Sequence, residues 1–392
     1  MKAFAFAPAF LCLLAAASAA HGQKLDLRAG GEQAFRVEGM GVDLKLYTPE
    51  DFDPADAGRK WPAIFWYHGT GGSPETGLMR KFTGGRGFFI VGMTYASRGL
   101  LQYEQEPGKN QFSEEIALFQ KVRDQVKELA PIDPKRAYVG GYSKGGWTSA
   151  LMMEEIGDEL AGALPMGGGL LEGAHSRTPK RLDGKPVYLG AGDAETNVIY
   201  TRNAARVFRD LGARVTLEEY RGLGHRPPDD SEILRQWLKV EAHSNRLIEL
   251  KDEAEKWFAD SIAAAKAEED RMAQYLKLVA MGESPFLRLA GKENRDGLAA
   301  ALNTVRSRSP IREEYRAELE VKRIAARETQ QRTLPHEIQR YYEYIQVTRE
   351  YPDSFWAKRA AQEAARVLAS IRRREDYLRK LGKPFKPFDP EG

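Results

Sequence analysis

Gly141-Tyr142-Ser143-Lys144-Gly145 stands between the run Arg136-Ala137-Tyr138-Val139-Gly140 and the segment Gly146-Trp147-Thr148-Ser149-Ala150-Leu151-Met152-Met153. The first flank is apolar and rich in β-formers, as a buried strand would be; the second can wind as a helix. A serine flanked by glycines at such a strand-to-helix turn has the form of a nucleophile elbow. The spacing has a steric reason. The turn is so tight that the residues two before and two after the serine must be nearly free of side chain. The serine oxygen then projects from the sheet edge, and the amide of Lys144 can face a developing oxyanion.

Three further stretches frame this one. Upstream, Trp61-Pro62-Ala63-Ile64-Phe65-Trp66-Tyr67 reads as a buried strand ending in His68-Gly69-Thr70-Gly71-Gly72. A phosphate-binding turn would carry the lysine and hydroxyl residue of a P-loop or a G-x-G-x-x-G run, and this one has neither. Downstream, Pro186-Val187-Tyr188-Leu189-Gly190-Ala191-Gly192 reads as a strand followed by Asp193-Ala194-Glu195-Thr196-Asn197-Val198. Both carboxylates are able to orient a base, and both could instead cap the helix that starts near Tyr200. The strand Arg214-Val215-Thr216-Leu217-Glu218-Glu219-Tyr220 then leads into Arg221-Gly222-Leu223-Gly224-His225-Arg226-Pro227-Pro228, a loop flexible enough to swing an imidazole over the sheet.

Together these residues resemble the α/β-hydrolase superfamily, especially its secreted esterase and prolyl-oligopeptidase-like branches. Ile132-Asp133-Pro134-Lys135-Arg136-Ala137-Tyr138-Val139 is also similar to polyhydroxybutyrate-depolymerase and feruloyl-esterase-like sequences. The resemblance covers roughly residues 35 to 240. It implies a serine nucleophile, a histidine base, an orienting carboxylate and an acyl-enzyme intermediate. On the matching positions these are Ser143, His225 and Glu195, with Asp193 the alternative acid. In such proteins the acid commonly sits three residues after a strand-terminal glycine and three before a valine. Gly192 and Val198 both lead to Glu195, a glutamate where aspartate is commoner. The family's order of serine, acid, histidine leaves His225 among six histidines: His175 precedes the acid, and His243 and His336 fall in charged helical sequence. His21 borders the leader described below, and His68 belongs to the glycine-rich loop. That loop resembles the esterase segment supplying a second oxyanion amide, from Thr70 with Gly69 as the other candidate, opposite that of Lys144.

Residues 1–20 have the form of a cleavable signal peptide: Lys2, a nearly all-apolar stretch from Ala3 to Ala17, and small residues at Ala17-Ser18-Ala19-Ala20. The apolar stretch is too short for a transmembrane span. Cys12 is the single cysteine of the 392-residue chain and lies inside that stretch, so the mature chain is expected to have no disulfide, thiol nucleophile or thiolate metal site. A secreted or periplasmic location follows as the expectation. With 59 Lys and Arg against 56 Asp and Glu, the net charge of +3 is too balanced to imply nucleic acid or an anionic membrane surface. No cofactor fingerprint and no His/Asp/Glu cluster at metal-ligand spacing is apparent, so neither cofactor nor metal is expected.

Before about residue 240, glycine-punctuated strands alternate with helix-like segments, such as Glu114 to Leu129 with Ile116, Phe119, Val122, Val126 and Leu129 on one face. That alternation predicts an α/β fold of the α/β-hydrolase kind, a mostly parallel sheet with helices on both faces, over residues 24–240. An antiparallel pair, Phe35 to Glu38 with Val42 to Tyr47, is expected to open it. Residues 241–392 predict a C-terminal all-α region, dense in Ala, Glu, Lys and Arg, with breaks at Gly282 to Pro285 and Arg308 to Pro310. The stretch from Tyr341 through Tyr351-Pro352-Asp353-Ser354 to Ala361 resembles one tetratricopeptide-like helix pair. Stable arrays need about three copies, so a packed helical appendage is the equal alternative. Trp257, Phe258, Tyr341, Tyr344 and Trp356 are expected on its face toward the sheet, and the region could bind a protein partner.

The reading is an exported serine hydrolase acting on a small-molecule or polymer ester. A peptidase of prolyl-oligopeptidase type, or a non-catalytic scaffold that binds through its helices, are the alternatives. Ser97 to Phe112 and Leu170 to Asp183 could wall the pocket, and Trp147 is expected to pack within its helix layer.

Overall fold

The structure, a computed structural model, describes residues 24–56, 58–96, 111–171, 179–327 and 333–390. The signal-like residues 1–20 with Cys12, most of Ser97 to Phe112 and the middle of Leu170 to Asp183 lie outside the described residues.

An antiparallel pair, β1 (Glu32–Arg36) and β2 (Asp43–Tyr47), comes first. Then follow β3 (Trp61–Tyr67), α1 (Gly77–Thr83), β4 (Phe89–Met93), α2 (Gln111–Leu129), β5 (Ile132–Tyr142), α3 (Lys144–Ile156) and β6 (Gly162–Met166). β7 (Pro186–Gly192), α4 (Val198–Asp210), β8 (Arg214–Tyr220) and α5 (Glu232–Ala242) complete this part. The eight strands form one sheet in the order β1-β2-β4-β3-β5-β6-β7-β8, parallel from β4 to β8. This is the expected α/β fold, a mostly parallel sheet with helices on both faces, followed by the expected all-α region.

Period-two alternation explains the layering. In β3, Ala63, Phe65 and Tyr67 join the core under α2, α3 and α4, while Ile64 and Trp66 join the core under α1 and α5. Every β3 residue is buried, as befits a strand covered on both faces. Pro62 is unusual at such a place because it removes a ladder donor. It sits where the register shifts, Trp61 opposing Ile132 and Ala63 opposing Ala137, so the extra residues of β5 absorb both Pro62 and Pro134. β3 is also where the strand order reverses, with β4 on one side and β5 on the other. The crevice outside the carboxyl ends of strands at such a switch point is the usual ligand site in open α/β sheets.

After α5 no strand occurs among the described residues. The helices are α6 (Lys251–Lys266), α7 (Arg271–Glu283), α8 (Lys292–Arg306), α9 (Ile311–Ala326), α10 (Leu334–Glu350) and α11 (Phe355–Lys380). They bury two apolar clusters, one around Phe258, Tyr275 and Leu278, the other around Tyr344, Trp356 and Val367. The first also takes in Val240 from α5, so the two regions share a core. α10 and α11 pack along each other across Tyr351 to Ser354, and the Ser354 side chain caps α11 by accepting the amide of Ala357 at 2.9 Å. Of the aromatics expected toward the sheet, Trp257 donates to Glu232 on α5, and Tyr344 and Trp356 face a cavity beside β8. Phe258 and Tyr341 instead pack among the helices, Phe258 on Trp257 and Tyr341 on Phe388.

Candidate active site

Ser143 has φ 56° and ψ −115°, the one positive φ outside glycine among the described residues. This backbone is strained for an L-residue and persists because its surroundings over-determine it. Ser143 N–H donates to Met166 O at 2.8 Å, and Ser143 O accepts from Trp147 N–H at 3.1 Å as α3 begins. The flanking glycines are required by contact. A Cβ on Gly141 would lie 2.5 Å from the carbonyl carbon of Gly145, and a Cβ on Gly145 would lie 2.2 Å from Tyr67 O. β5, α3 and the end of β3 therefore meet at a point that admits no side chain but the serine's.

Acid and base arrive from the ends of β7 and β8. His225 Nε2 lies 2.8 Å from Ser143 Oγ, and its Nδ1 is hydrogen-bonded to Glu195 Oε2. The other carboxylate oxygen of Glu195 accepts the Gly192 amide at 2.9 Å. The loops carrying the two are knitted together: Asp193 N–H donates to Tyr220 O at 3.0 Å and Ala194 N–H to Leu223 O at 3.1 Å. A Cβ on Gly192 would sit 2.0 Å from Leu223 O, so the strand-terminal glycine is what lets the histidine loop cross. Asp193 does not reach His225. Its Oδ1 accepts the Gly222 amide at 2.7 Å, bracing the loop that holds the imidazole. The Tyr142 ring lies 5.2 Å from that of His225 at 31°, a wall for the imidazole. Burial, and after it the charge of Glu195, pushes the Tyr142 phenol up, keeping that wall neutral.

The glycine-rich loop after β3 closes the other side. A Cβ on Gly69 would be 3.6 Å from Ser143 Cβ, so backbone without side chain abuts the nucleophile. Gly72 N–H donates to Gly69 O at 3.1 Å, and His68 Nδ1 lies 2.7 Å from the same oxygen, folding the loop back on itself. Thr70 lies at the exposed crest of this turn. Lys144 opens α3, whose N-terminal amides and dipole favour negative charge beside Ser143. Trp147, as expected, packs in its helix layer, 5.1 Å from the ring of Tyr200.

Two residues that the sequence reading passed over belong to this site. Tyr95, two positions beyond β4, donates its hydroxyl to His68 O and lies under the ammonium of Lys144, 3.8 Å from Nζ to the ring centroid. Tyr142, inside the pentapeptide, is the second. An aromatic at the end of a strand was the sole signal for the first, and none existed for the second.

A cavity of about 670 Å³ lies away from this centre, between β8 and α4 on one side and α7, α9, α10 and α11 on the other. Ser143, Glu195 and His225 are not in its wall.

No family model and no curated relative matches the chain. Solved structures similar to it include a Bacillus cereus carboxylesterase, 16% identical, covering 46% of this chain and 89% of that one, with a TM-score of 0.40. The S-formylglutathione hydrolase of Staphylococcus aureus is 13% identical over 57% of this chain and 98% of its own, with a TM-score of 0.38. A propionate-bound esterase of Thermogutta terrifontis is 18% identical over 58% and 96%, also with a TM-score of 0.38.

Proposed function

We propose that this chain is an exported serine hydrolase that cleaves a carboxylic ester through an acyl-enzyme. The observation that carries the reading is the unbroken line from Ser143 Oγ to His225 Nε2 at 2.8 Å, and from Nδ1 to the Glu195 carboxylate. Ser143 Oγ attacks the ester carbonyl while neutral His225 takes its proton at Nε2. Glu195 holds Nδ1–H, fixing the tautomer that leaves Nε2 a lone pair, and stabilises the imidazolium as it forms. The tetrahedral oxyanion is met by the amides of Lys144 and Thr70, with Gly69 as the other loop donor. His225 then gives its proton to the leaving alcohol. Water enters, loses a proton to His225 and releases the acid, restoring Ser143.

The strained backbone of Ser143 supports the same reading, since it holds Oγ clear of the sheet toward the imidazole. The leader-like first twenty residues support export to the periplasm or beyond. A fluorophosphonate probe tests the core of the proposal. The folded protein should be labelled on Ser143 and should hydrolyse at least one ester in a panel of p-nitrophenyl and feruloyl esters. Folded protein that stays unlabelled and inert on the whole panel rejects the enzymatic reading. Mass analysis of the exported chain, expected to start after residue 20, tests the leader.

A further inference from the structure

The two proposed oxyanion donors sit on different chain segments. Thr70 lies in the loop after β3, and Lys144 is the first residue of α3. An oxyanion hole works only if both amides are held about 3 Å from one point, so something must fix their separation. Neighbouring contacts secure each segment separately: Gly72 N–H to Gly69 O within the loop, and Ser143 N–H to Met166 O behind the elbow. The segments abut where Gly69 meets Ser143, and the side chain of Tyr95 touches both. Tyr95 donates its hydroxyl to His68 O, the carbonyl that leads into Gly69, and its ring stands edge-on to the His68 ring with centroids 5.0 Å apart. The face of the same ring carries the Lys144 ammonium at 3.8 Å.

We propose that Tyr95 is a positioning residue that sets the spacing of the two oxyanion donors, its hydroxyl holding the glycine-rich loop and its ring holding Lys144. This rests on the serine-hydrolase reading above. The placement suits the task. Tyr95 follows β4, which pairs with β3, so it approaches from the side of the switch point opposite β5. Its ring is itself buttressed by Tyr67, the last residue of β3, at 5.5 Å between centroids. Lys144 is buried, and a desolvated ammonium gains more from an aromatic face than an exposed one does. Burial lowers the Lys144 ammonium and raises the Tyr95 phenol, while the nearby carboxylate of Glu115 opposes the first shift and adds to the second.

A loosened hole costs transition-state binding and leaves ground-state binding alone, so kcat and KM should separate. Tyr95→Phe removes the hydroxyl and keeps the ring. Expected is a fall in kcat of about tenfold on p-nitrophenyl butyrate with KM within about twofold. Benzeneboronic acid, whose adduct on a nucleophilic serine places an oxygen in the oxyanion position, should lose affinity by the same factor. Lys144→Met, which keeps its backbone amide, should show the same split. The double variant should fall short of the product of the two, because both act on one spacing. Should Tyr95→Phe not fold, Lys144→Met reads the same quantity. Wild-type kcat and boronate affinity in the folded variants overturn the inference, as does a loss confined to KM. A wild-type protein that neither labels with fluorophosphonate nor turns over any ester refutes the hydrolase reading instead, so the two failures are distinct.

Discussion

Two buried carboxylates, Glu195 in the sheet-bearing region and Glu363 in the helical one, are treated in opposite ways. Glu195 receives one backbone amide and one imidazole, and that imidazole is still 42% exposed while the carboxylate is 1% exposed. Glu363 is surrounded by cations: Arg366 at 2.8 Å, Arg202 at 3.3 Å and Arg206 at 3.9 Å. Burial alone would raise the carboxyl of Glu363, but Arg366, Arg206 and Arg202 overcome it and hold the group down at about 2. A charge whose only mobile partner is a half-open imidazole can serve a proton transfer at its far nitrogen. A charge enclosed by guanidinium groups serves attachment, here of α11 to α4. On the proposed function the two regions divide chemistry and support, and five substitutions probe that division.

The largest effect falls on the nucleophile. Ser143→Ala should remove turnover by about five to six orders of magnitude, because members of such a unit fail together. Folding should survive, since contact at Gly141 and Gly145 and not the hydroxyl shapes the turn. Thermal unfolding and fluorophosphonate labelling measured together decide it. Retained turnover in Ser143→Ala moves the chemistry elsewhere and ends the comparison.

Next come the two carboxylates after β7. Glu195→Gln should lower kcat by about three to four orders of magnitude through loss of the tautomer-setting partner. Asp193→Asn keeps an oxygen for the Gly222 amide and should cost about tenfold or less. A reversed ranking makes Asp193 the acid and turns Glu195 into the brace.

In the helical region the effect should appear as stability. Glu363→Ala leaves Arg202 and Arg366 buried with fewer acids and should cost about 3 kcal/mol. The same group gives a pH window. Its folded value is depressed, so the stability it lends is present above about 4.5, the ordinary value, and is lost as pH falls toward about 2. Between those limits wild type should lose stability faster than Glu363→Ala in urea melts. Parallel losses in both proteins remove Glu363 from the attachment.

Much of this was legible in the chain itself, and the gaps have physical causes. β7 and β8 were read with their observed bounds because each is a full strand of apolar or alternating residues closed by a glycine or a loop. β6, Gly162–Met166, went unread: five residues with a glycine and a proline carry no strand signal, and only pairing with β5 and β7 makes it one. Ser143, Glu195 and His225, which the structure brings side by side, were legible as candidates because spacing and chain order are properties of a sequence. Tyr95 was not, because its partners His68 and Lys144 are distant in sequence and only the sheet brings them together. The placement of Asp193 under Gly222 had the same obstacle. Two carboxylates two residues apart look alike until the crossing of the histidine loop separates them.

The smallest predicted effect tests the boundary between the regions. Gln362 on α11 donates to Asp193 O at 3.3 Å and accepts from Arg202 Nη1 at 3.1 Å. It is thus a direct link from the helices to the loop that carries Glu195. The first bond is long, its acceptor is a backbone oxygen, and Asp193 is fixed independently through its own amide to Tyr220 O and its carboxylate to Gly222. A net hydrogen bond of this kind is worth about 1 kcal/mol or less. If the helices only support the sheet region, Gln362→Ala should change kcat/KM on a small soluble ester by no more than about threefold, with KM unmoved. Steady-state kinetics on full-length protein, with Tm measured alongside, give the answer. A loss of a hundredfold at unchanged Tm would mean that α11 completes the active site by tuning the acid loop. Support and chemistry would then no longer be separable along the chain.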